Sequence, residues 1–462
     1  MERAAARPDA GAGFARYWCW RILGCDPWFA GALAAAELWL GLLWFFYWGY
    51  GVERGYILGA FLLGLGVLWF RPRAGSFPGA AGEISLPPTV RGLLIAALVL
   101  DVSMMVVSDV RSVRTSQILM DEGQTSWRAA RLMWRGENPY GSGALTDLHA
   151  YQARTQQREA VGVTTRLSGA EVDSALARYD ATLDARLHRE LLPVPAAGSA
   201  AARELRLYGY KYGPLIVLIT AVVAPFGIPA AVMFLNALAC FGLYAVNWLI
   251  LRRIAGTELA LAGVAMLALL LDRHISHDYI NRSATDVWPL LFGSVGVLAA
   301  MSRRPFAAAV AIALAVGCKT LPGLLFLPLL LRFRSPYPVL LFTALVGAIY
   351  LPWLLWDPRG ILDNIVLWPF LMAQRSTSWE FFAPPWAALV ARALALSFMS
   401  MVWVRYLFAS RPRLFLTLAL SNTALLLASG NLGNNYIPWA SLWMVAALVE
   451  AFADRRVRGL GY

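Results

Sequence analysis

The residues best suited to chemistry lie in one polar stretch, DEGQTSWRAARLMWRGENPY at 121–140, directly after a hydrophobic segment. The stretch begins with two carboxylates, Asp121 and Glu122, and ends in a Gly-x-Asn-Pro-Tyr turn. A carboxylate at the mouth of a lipid-facing cavity can act as a general base on an acceptor hydroxyl. The same pair can instead be a solvated cap, because acidic side chains stabilise helix N-termini. The residues alone leave both interpretations open.

A second polar segment, HISHDYINR at 274–282, holds two of the four histidines in the chain. His274, His277 and Asp278 could bind a metal ion, but two histidines three positions apart with one acid are weak evidence for that. We therefore predict no metal and no other cofactor. Contact with a phosphate or a sugar is one alternative for this segment, and a plain loop between two helices is the other.

Two charged residues, Asp101 and Arg392, lie within apolar segments, where charges are costly and usually face a cavity or each other. A buried structural pair is the favoured interpretation, and contact of Arg392 with a phosphate is the alternative. Asn435 and Tyr436 follow two glycines in the last polar loop, where a plain turn competes with contact to a sugar or acceptor.

The composition excludes a soluble protein, because 59% of the residues are hydrophobic, only 15% are charged and the mean hydropathy is +0.56. Soluble domains are typically about 25% charged. The net charge of +12 does not indicate nucleic-acid binding, since most of the short arginine-rich breaks fall at alternate ends of apolar segments. The four cysteines are scattered and predict neither a disulfide framework nor a zinc site.

A membrane-spanning helix needs about 20 apolar residues, and the chain offers about 12 such segments, several of them short. The candidate spans are 27–48, 56–70, 92–110, 229–251, 257–275, 286–301, 305–320, 321–332, 337–356, 383–404, 414–430 and 437–453. The placement of arginines predicts that both termini are cytoplasmic. We expect an all-α, multi-pass protein of the bacterial inner membrane without a cleavable signal peptide.

The long polar interlude is predicted to contain interfacial helices on the outer face. Residues 124–135 place Trp127, Ala130 and Trp134 on one helical face and a basic stripe on another. The basic stripe consists of Arg128, Arg131 and Arg135. Residues 171–190 form a second amphipathic pattern, and 213–226 is expected to be re-entrant or surface-lying because prolines and a glycine break its end.

The string D-(x)6-R-A-A-R-(x)4-G-x-N-P-Y resembles the first outer-loop motif of GT-C superfamily glycosyltransferases, nearest the family-87 branch that uses polyprenyl-phosphate-mannose. Later segments agree in order: YKYGPL at 210–215, the polar stretch at 281–286 and KTLP at 319–322. The resemblance divides the chain into three parts. Residues 1–91 are a cytoplasmic segment with two added transmembrane helices, 92–440 are the core with an outer loop at 111–228, and 441–462 are the end of the last helix with a cytoplasmic tail.

The resemblance implies an inverting, metal-independent transfer of a mannose-like or other sugar from a polyprenyl phosphate to a lipid or glycan acceptor on the extracytoplasmic face. It places the catalytic base at Asp121, with Asp109 second and Glu122 third. The residues that we expect to contact substrate are Lys211, Tyr212, His274, His277, Asp278, Arg282, Lys319, Arg392, Asn435 and Tyr436.

The two lysines, Lys211 and Lys319, stand against 38 arginines, and both lie at predicted outer-face junctions. An ammonium group there can neutralise charge that develops on a phosphate leaving group. The alternative is simple snorkelling of the lysine to the membrane interface.

At the level of the whole protein, the alternative to an enzyme is a polytopic transporter or lipid flippase, but the chain lacks the internal repeats common in transporters.

Overall fold

The computed structural model describes residues 86–115, 118, 121–140, 210–272, 275–333, 335–367, 385–409, 413–428 and 437–459, together with Phe29, Ala32 and Leu33. These residues form helices, turns and connecting segments, with no strand among them. The α-helices are α1 (Pro88–Thr115), α2 (Asp121–Trp134), α3 (Pro214–Ala221), α4 (Ala230–Ala255), α5 (Leu259–Leu271), α6 (Val287–Met301), α7 (Pro305–Cys318), α8 (Thr320–Leu324), α9 (Leu327–Leu331), α10 (Tyr337–Trp356), α11 (Pro358–Ile361), α12 (Pro385–Phe408), α13 (Leu414–Ala428) and α14 (Ile437–Gly459). A 3₁₀ turn (Ala224–Phe226) and two π-helices (Ile275–Asn281 and Leu362–Leu367) complete the order.

Three of the described helices are long and apolar enough to cross a membrane: α1, α4 and α10, with 28, 26 and 20 residues. A fourth candidate is α5 taken together with the following π-helix, which is bent from it by 57°. Other apolar helices, including α6 and α7, are shorter. The chain is therefore consistent with a helical membrane protein, and the expected 12 spans remain a prediction.

Predicted spans and observed helices agree closely in the second half of the chain, where α10 has the bounds that were predicted. In the first half, α1 extends beyond the predicted span 92–110 at both ends. The segment predicted as a single span at 321–332 contains two five-residue helices, α8 and α9. Pro328 lies in the first turn of α9 and has no backbone N–H to continue a helix from α8. The predicted helix at 171–190 and the spans at 27–48 and 56–70 lie outside the described residues, apart from the three isolated positions named above.

The helices pack pairwise, with α6 against α7, α12 against α13, α13 against α14 and α4 against α6. Large apolar side chains on the outward face of α1 stay uncovered in the structure; Val99 and Val107, for example, are 59% and 66% exposed. Similar apolar faces occur on α10 and α12. A wide apolar face of this kind is typical of helices that contact lipid.

Hydrogen bonds define two opposite ends of the bundle. At one end, Arg253 in the last turn of α4 donates to Ser302, 2.8 Å away, next to the arginines at 303 and 304. Near the start of α4, Asn236 donates to Ser283, also 2.8 Å away. The two positions on α4 are about 25 Å apart at 1.5 Å per residue. The arginine-rich break after α6 therefore lies at the end opposite to the 283–286 turn.

The segment between 210 and 226 does not form a full span. Its helix α3 has eight residues and is therefore about 12 Å long, against a hydrocarbon core of about 30 Å. The chain then turns at Gly227, whose φ is 69°, a left-handed value that favours glycine. Helix α3 packs against α2 and α7, so the segment covers one end of the bundle.

Candidate functional site

The first turn of α2 is fixed to the 283–286 turn through Glu122. One oxygen, Oε2, accepts hydrogen bonds from the backbone N–H and the hydroxyl of Thr285, at 3.2 and 3.3 Å. The side chain of Glu122 is only 5% exposed. The solvated-cap interpretation is therefore wrong for Glu122, which lies buried at the contact between two distant parts of the chain.

Three tyrosines, Tyr140, Tyr210 and Tyr212, form an edge-to-face group beside this contact. The hydroxyl of Tyr210 is 3.1 Å from the hydroxyl of Ser126, one turn after Glu122, and the hydroxyl of Tyr140 donates to the backbone carbonyl of Tyr212 at 2.7 Å. The ring centroids of Tyr140 and Tyr210, and of Tyr210 and Tyr212, are 5.5 Å apart in edge-to-face contact. Burial raises the pKa of both Tyr140 and Tyr210 well above the ordinary value, so both hydroxyls stay protonated.

Lys319, at the junction between α7 and α8, forms an ion pair with Asp286. The side chain of Asp286 is fully buried, whereas that of Lys319 keeps 15% of its surface exposed. The ammonium nitrogen also lies 5.3 Å from the centre of the Tyr212 ring, within the range of a cation–π contact. We call Glu122, Ser126, Tyr210, Tyr212, Thr285, Asp286 and Lys319 the polar cluster.

The π-helix at 275–281 borders the polar cluster and presents further polar groups. Tyr279 is buried and interacts electrostatically with Asp286, Asp278 and Glu122. Asp278 is 1% exposed and lies 3.7 Å from the guanidinium of Arg282. π-Helical turns are uncommon and frequently occur at functional sites.

The same π-helix orients a histidine. The side-chain amide of Asn281 is 3.3 Å from Nδ1 of His277, and the amide oxygen accepts a hydrogen bond from Ser108 of α1. His277 is half-buried. The π-helix therefore holds this imidazole in a fixed position against α1.

Close backbone contacts hold the segments in place. A Cβ atom on Gly213 would lie 2.0 Å from the carbonyl oxygen of Gly317, so glycine is required there. The N–H of Gly213 donates to the carbonyl of Cys318 at 2.8 Å, which places Tyr212 next to Lys319. A Cβ atom on Gly360 would lie 2.1 Å from the carbonyl oxygen of Tyr140, so α11 packs closely against the backbone of Tyr140.

The structure brings together several residues that the sequence singled out. Glu122, Tyr212 and Lys319 belong to the polar cluster, and His277, Asp278 and Arg282 lie on or directly after the adjoining π-helix. Lys211 is half-buried, and in the sequence it stands between Tyr210 and Tyr212 of the polar cluster.

The other predicted positions are more distant or not described. Asp121 is the first residue of α2, and its side chain lies outside the described part of the structure. Asp109 is half-buried on α1, next to Ser108. Arg392 is half-buried on α12, which packs mainly against α13. His274, Asn435 and Tyr436 lie outside the described residues.

Two predicted arrangements need correction. Arg128 was expected on an exposed basic face, but it is 3% exposed, whereas Trp134 is 61% exposed. The reason is that α3 and the 283–286 turn cover α2 on more than one side. The favoured pair of Asp101 with Arg392 does not form either, because the carboxyl group of Asp101 faces Tyr244 of α4.

Sequence reasoning missed the partners that complete the cluster: Ser126, Tyr210, Thr285 and Asp286. All four lie inside segments that the resemblance had marked, yet no local pattern distinguished them. No group of three histidine, cysteine or acidic side chains in the described part of the chain could hold a metal ion. The cluster thus offers buried carboxylates, one partly exposed ammonium group and aromatic walls. No protein-family profile, curated protein or solved structure matches the chain at a significant level.

Proposed function

We propose that the chain is a membrane-embedded glycosyltransferase of the GT-C type, which moves a sugar from a polyprenyl phosphate to a lipid or glycan acceptor. One observation carries the proposal. Carboxylates and an ammonium group from α2, the 283–286 turn and the α7–α8 junction meet at the end of the bundle opposite the arginine-rich break after α6. These are three of the segments in which the sequence resembles that superfamily.

In the proposed reaction, an acceptor hydroxyl attacks the anomeric carbon of the donor sugar. The new carbon–oxygen bond forms as the bond to the phosphate oxygen breaks, so the phosphate leaves with the electron pair and the configuration inverts. A carboxylate takes the proton of the hydroxyl. Asp121 is assigned this role, with Asp109 as the second candidate. Glu122 positions the start of α2, because its carboxylate is already bonded to Thr285.

Lys319 is the proposed partner of the donor phosphate. Its ammonium group is partly exposed, in contrast to the buried Asp286 that holds it. A preorganised cation stabilises charge that develops on the leaving phosphate. The aromatic ring of Tyr212 beside it can contact the first isoprene unit or the sugar. No step of the proposed reaction requires a metal ion.

The apolar faces of α1, α10 and α12 support a membrane setting for this reaction, in which lipid surrounds the bundle and the prenyl chain enters from the side. About 12 spans, cytoplasmic termini and an extracytoplasmic cluster are parts of the same proposal. Helices α2 and α3, the described helices of the 111–228 outer loop, then supply a cover of the site.

The experiment is a transfer assay in membranes that are supplied with a radiolabelled polyprenyl-phospho-sugar and an acceptor lipid extract. Asp121→Asn should lower turnover by about 100-fold or more, as expected for loss of a general base. Glu137→Gln is the matched control, because it removes a carboxylate from the same loop and should leave turnover unchanged.

Two results would contradict the proposal. If Asp121→Asn and Asp109→Asn both keep full turnover, neither carboxylate is the base. If wild-type protein forms no glycoside but carries polyprenyl phosphate across the bilayer of proteoliposomes, the protein is a flippase rather than a transferase.

A further inference from the structure

A second group of polar side chains lies deeper in the bundle than the polar cluster. Asp101 is close to the middle of α1, about 20 Å from either end of that helix at 1.5 Å per residue. Its side chain is 1% exposed although α1 is one of the helices able to cross a membrane. A charged carboxylate at this depth is costly and usually marks a functional site.

The neighbours of Asp101 come from α4, and they link it to the residue that directly follows α5. Cys240 and Tyr244 of α4 interact electrostatically with Asp101 and with Asp272, the residue that ends α5. Asp272 is also 1% exposed and accepts a hydrogen bond from Ser441 of α14 at 3.0 Å. We call Asp101, Cys240, Tyr244, Asp272 and Ser441 the inner acidic group.

Asp101 has an oxygen that the surrounding protein does not satisfy. Its Oδ2 atom is buried and has no hydrogen-bond partner within normal distance and angle limits in the described part of the chain, and the buried hydroxyl of Tyr244 interacts with the carboxyl group. Within the described part of the chain, no basic side chain contacts Asp101. A buried acceptor and a buried hydroxyl therefore face each other with no cation between them to compensate a negative charge.

We propose that the inner acidic group is an intramembrane proton-binding site with Asp101 as the proton carrier. A proton on the carboxyl removes the charge and supplies the donor that Tyr244 can accept. A metal ion is the less suitable ligand, because the described residues of the group do not provide three ligating side chains that could surround one.

The proton-binding site is connected to the polar cluster through one tyrosine. The π-helix packs on α1, and its Tyr279 interacts electrostatically both with Cys240 and with Glu122, Asp278 and Asp286. The titratable groups that face Asp101 or its immediate neighbours are thus Cys240 and Tyr244 from α4, Asp272 from the end of α5 and Tyr279 from the π-helix. Protonatable groups therefore continue from the polar cluster to Asp101.

Labelling with dicyclohexylcarbodiimide tests the site on the full chain in lipid nanodiscs. This apolar reagent reacts with protonated carboxyl groups: the carboxyl O–H adds across its C=N bond, and rearrangement gives a stable N-acylurea that retains all atoms of both partners. Digestion with trypsin releases residues 92–111 as one peptide, and fragment ions distinguish an adduct on Asp101 from one on Asp109. Because the readout is a mass, it does not depend on the proposed transferase activity.

We expect Asp101 to be labelled at neutral pH and the yield to fall by about tenfold or more at strongly alkaline pH. Asp109→Asn should keep the adduct on Asp101, whereas Asp101→Asn should remove it. Replacing choline chloride by sodium chloride should leave the labelling yield of Asp101 unchanged. If sodium instead protects Asp101 from labelling, the site binds a sodium ion rather than a proton and the proposal is wrong. Protein unfolded in acidic dodecyl sulfate provides the positive control for reactivity. If Asp101 is labelled there but not in the folded protein at neutral pH, the proposal is wrong.

Discussion

The carboxylate of Glu122 accepts two hydrogen bonds from Thr285, a residue 163 positions further along the chain. This contact fixes the start of α2, and with it Asp121, over the turn that leads into α6. One turn later on the same helix, the hydroxyl of Ser126 lies 3.1 Å from the hydroxyl of Tyr210.

Substitution of Thr285 tests the strength of this contact. Thr285→Val keeps the shape of the side chain but removes the hydroxyl donor, so we expect a loss of about 1 kcal/mol in the free energy of unfolding. Thr285→Ser retains the hydroxyl and is the matched control. Unfolding in mixed detergent micelles, followed by tryptophan fluorescence, measures both; equal stability of the Val variant and the wild type would contradict the contact.

Gly213→Ala should disrupt the approach of the 210–213 segment to α7. The new Cβ atom would lie 2.0 Å from the carbonyl oxygen of Gly317, and that oxygen belongs to a helix backbone that cannot turn aside. We expect destabilisation of about 3 kcal/mol or more. Gly92→Ala is the control, because a Cβ atom added there would meet no other atom within 4 Å and alanine favours a helix. A neutral Gly213→Ala would contradict the observed packing.

The ion pair between Lys319 and Asp286 should couple strongly in a double-mutant cycle. Lys319→Met leaves a fully buried carboxylate without its cation and should cost about 3–5 kcal/mol. Asp286→Asn in the same chain removes that charge and should recover a large part of the loss. Thermal unfolding of the four proteins measures the coupling. Additive effects of the two substitutions would show that the side chains do not interact.

The buried tyrosines predict a loss of stability at alkaline pH. Because the pKa of Tyr140 and that of Tyr210 are raised in the folded chain, their stabilising effect is complete below the unfolded value of about 10 and is lost as the pH rises above it. A chain with Tyr140→Phe and Tyr210→Phe should therefore lose less stability than the wild type on passing from neutral to strongly alkaline pH. Tyr337→Phe, at a position that is 66% exposed, is the control. Identical pH profiles would refute the prediction.

Local sequence patterns were sufficient to predict the positions of most helices, but not the tertiary contacts that the helices make. Apolar run length predicted α10 with its observed bounds, because hydropathy and helix length are local properties. The break between α8 and α9 depends on Pro328 and on how Gly323 packs against Val316, where a Cβ would lie 2.5 Å from backbone atoms. The second of these causes is a tertiary contact that run length does not encode.

Some residues of the candidate site could likewise be predicted from local sequence, and others could not. Glu122 and Lys319 were predictable as rare charges beside apolar segments. Thr285 and Tyr210 were not, because a threonine that bonds a carboxylate 163 positions away resembles any other loop threonine. The burial of Arg128 could not be predicted either, because periodicity shows that a helix has an apolar and a polar face but not that other elements cover both faces.

The central claim is that the polar cluster binds a polyprenyl phosphate through Lys319. The most direct measurement is native mass spectrometry of the purified protein titrated with polyprenyl phosphate. Lys319→Met combined with Asp286→Asn removes the cation without leaving an unpaired buried charge, and Arg253→Gln removes a cation from the opposite end as the control. We expect the double variant to bind at least about tenfold more weakly, a change of roughly 1.4 kcal/mol, and the control to bind like the wild type. Equal affinity of all three proteins would contradict the account.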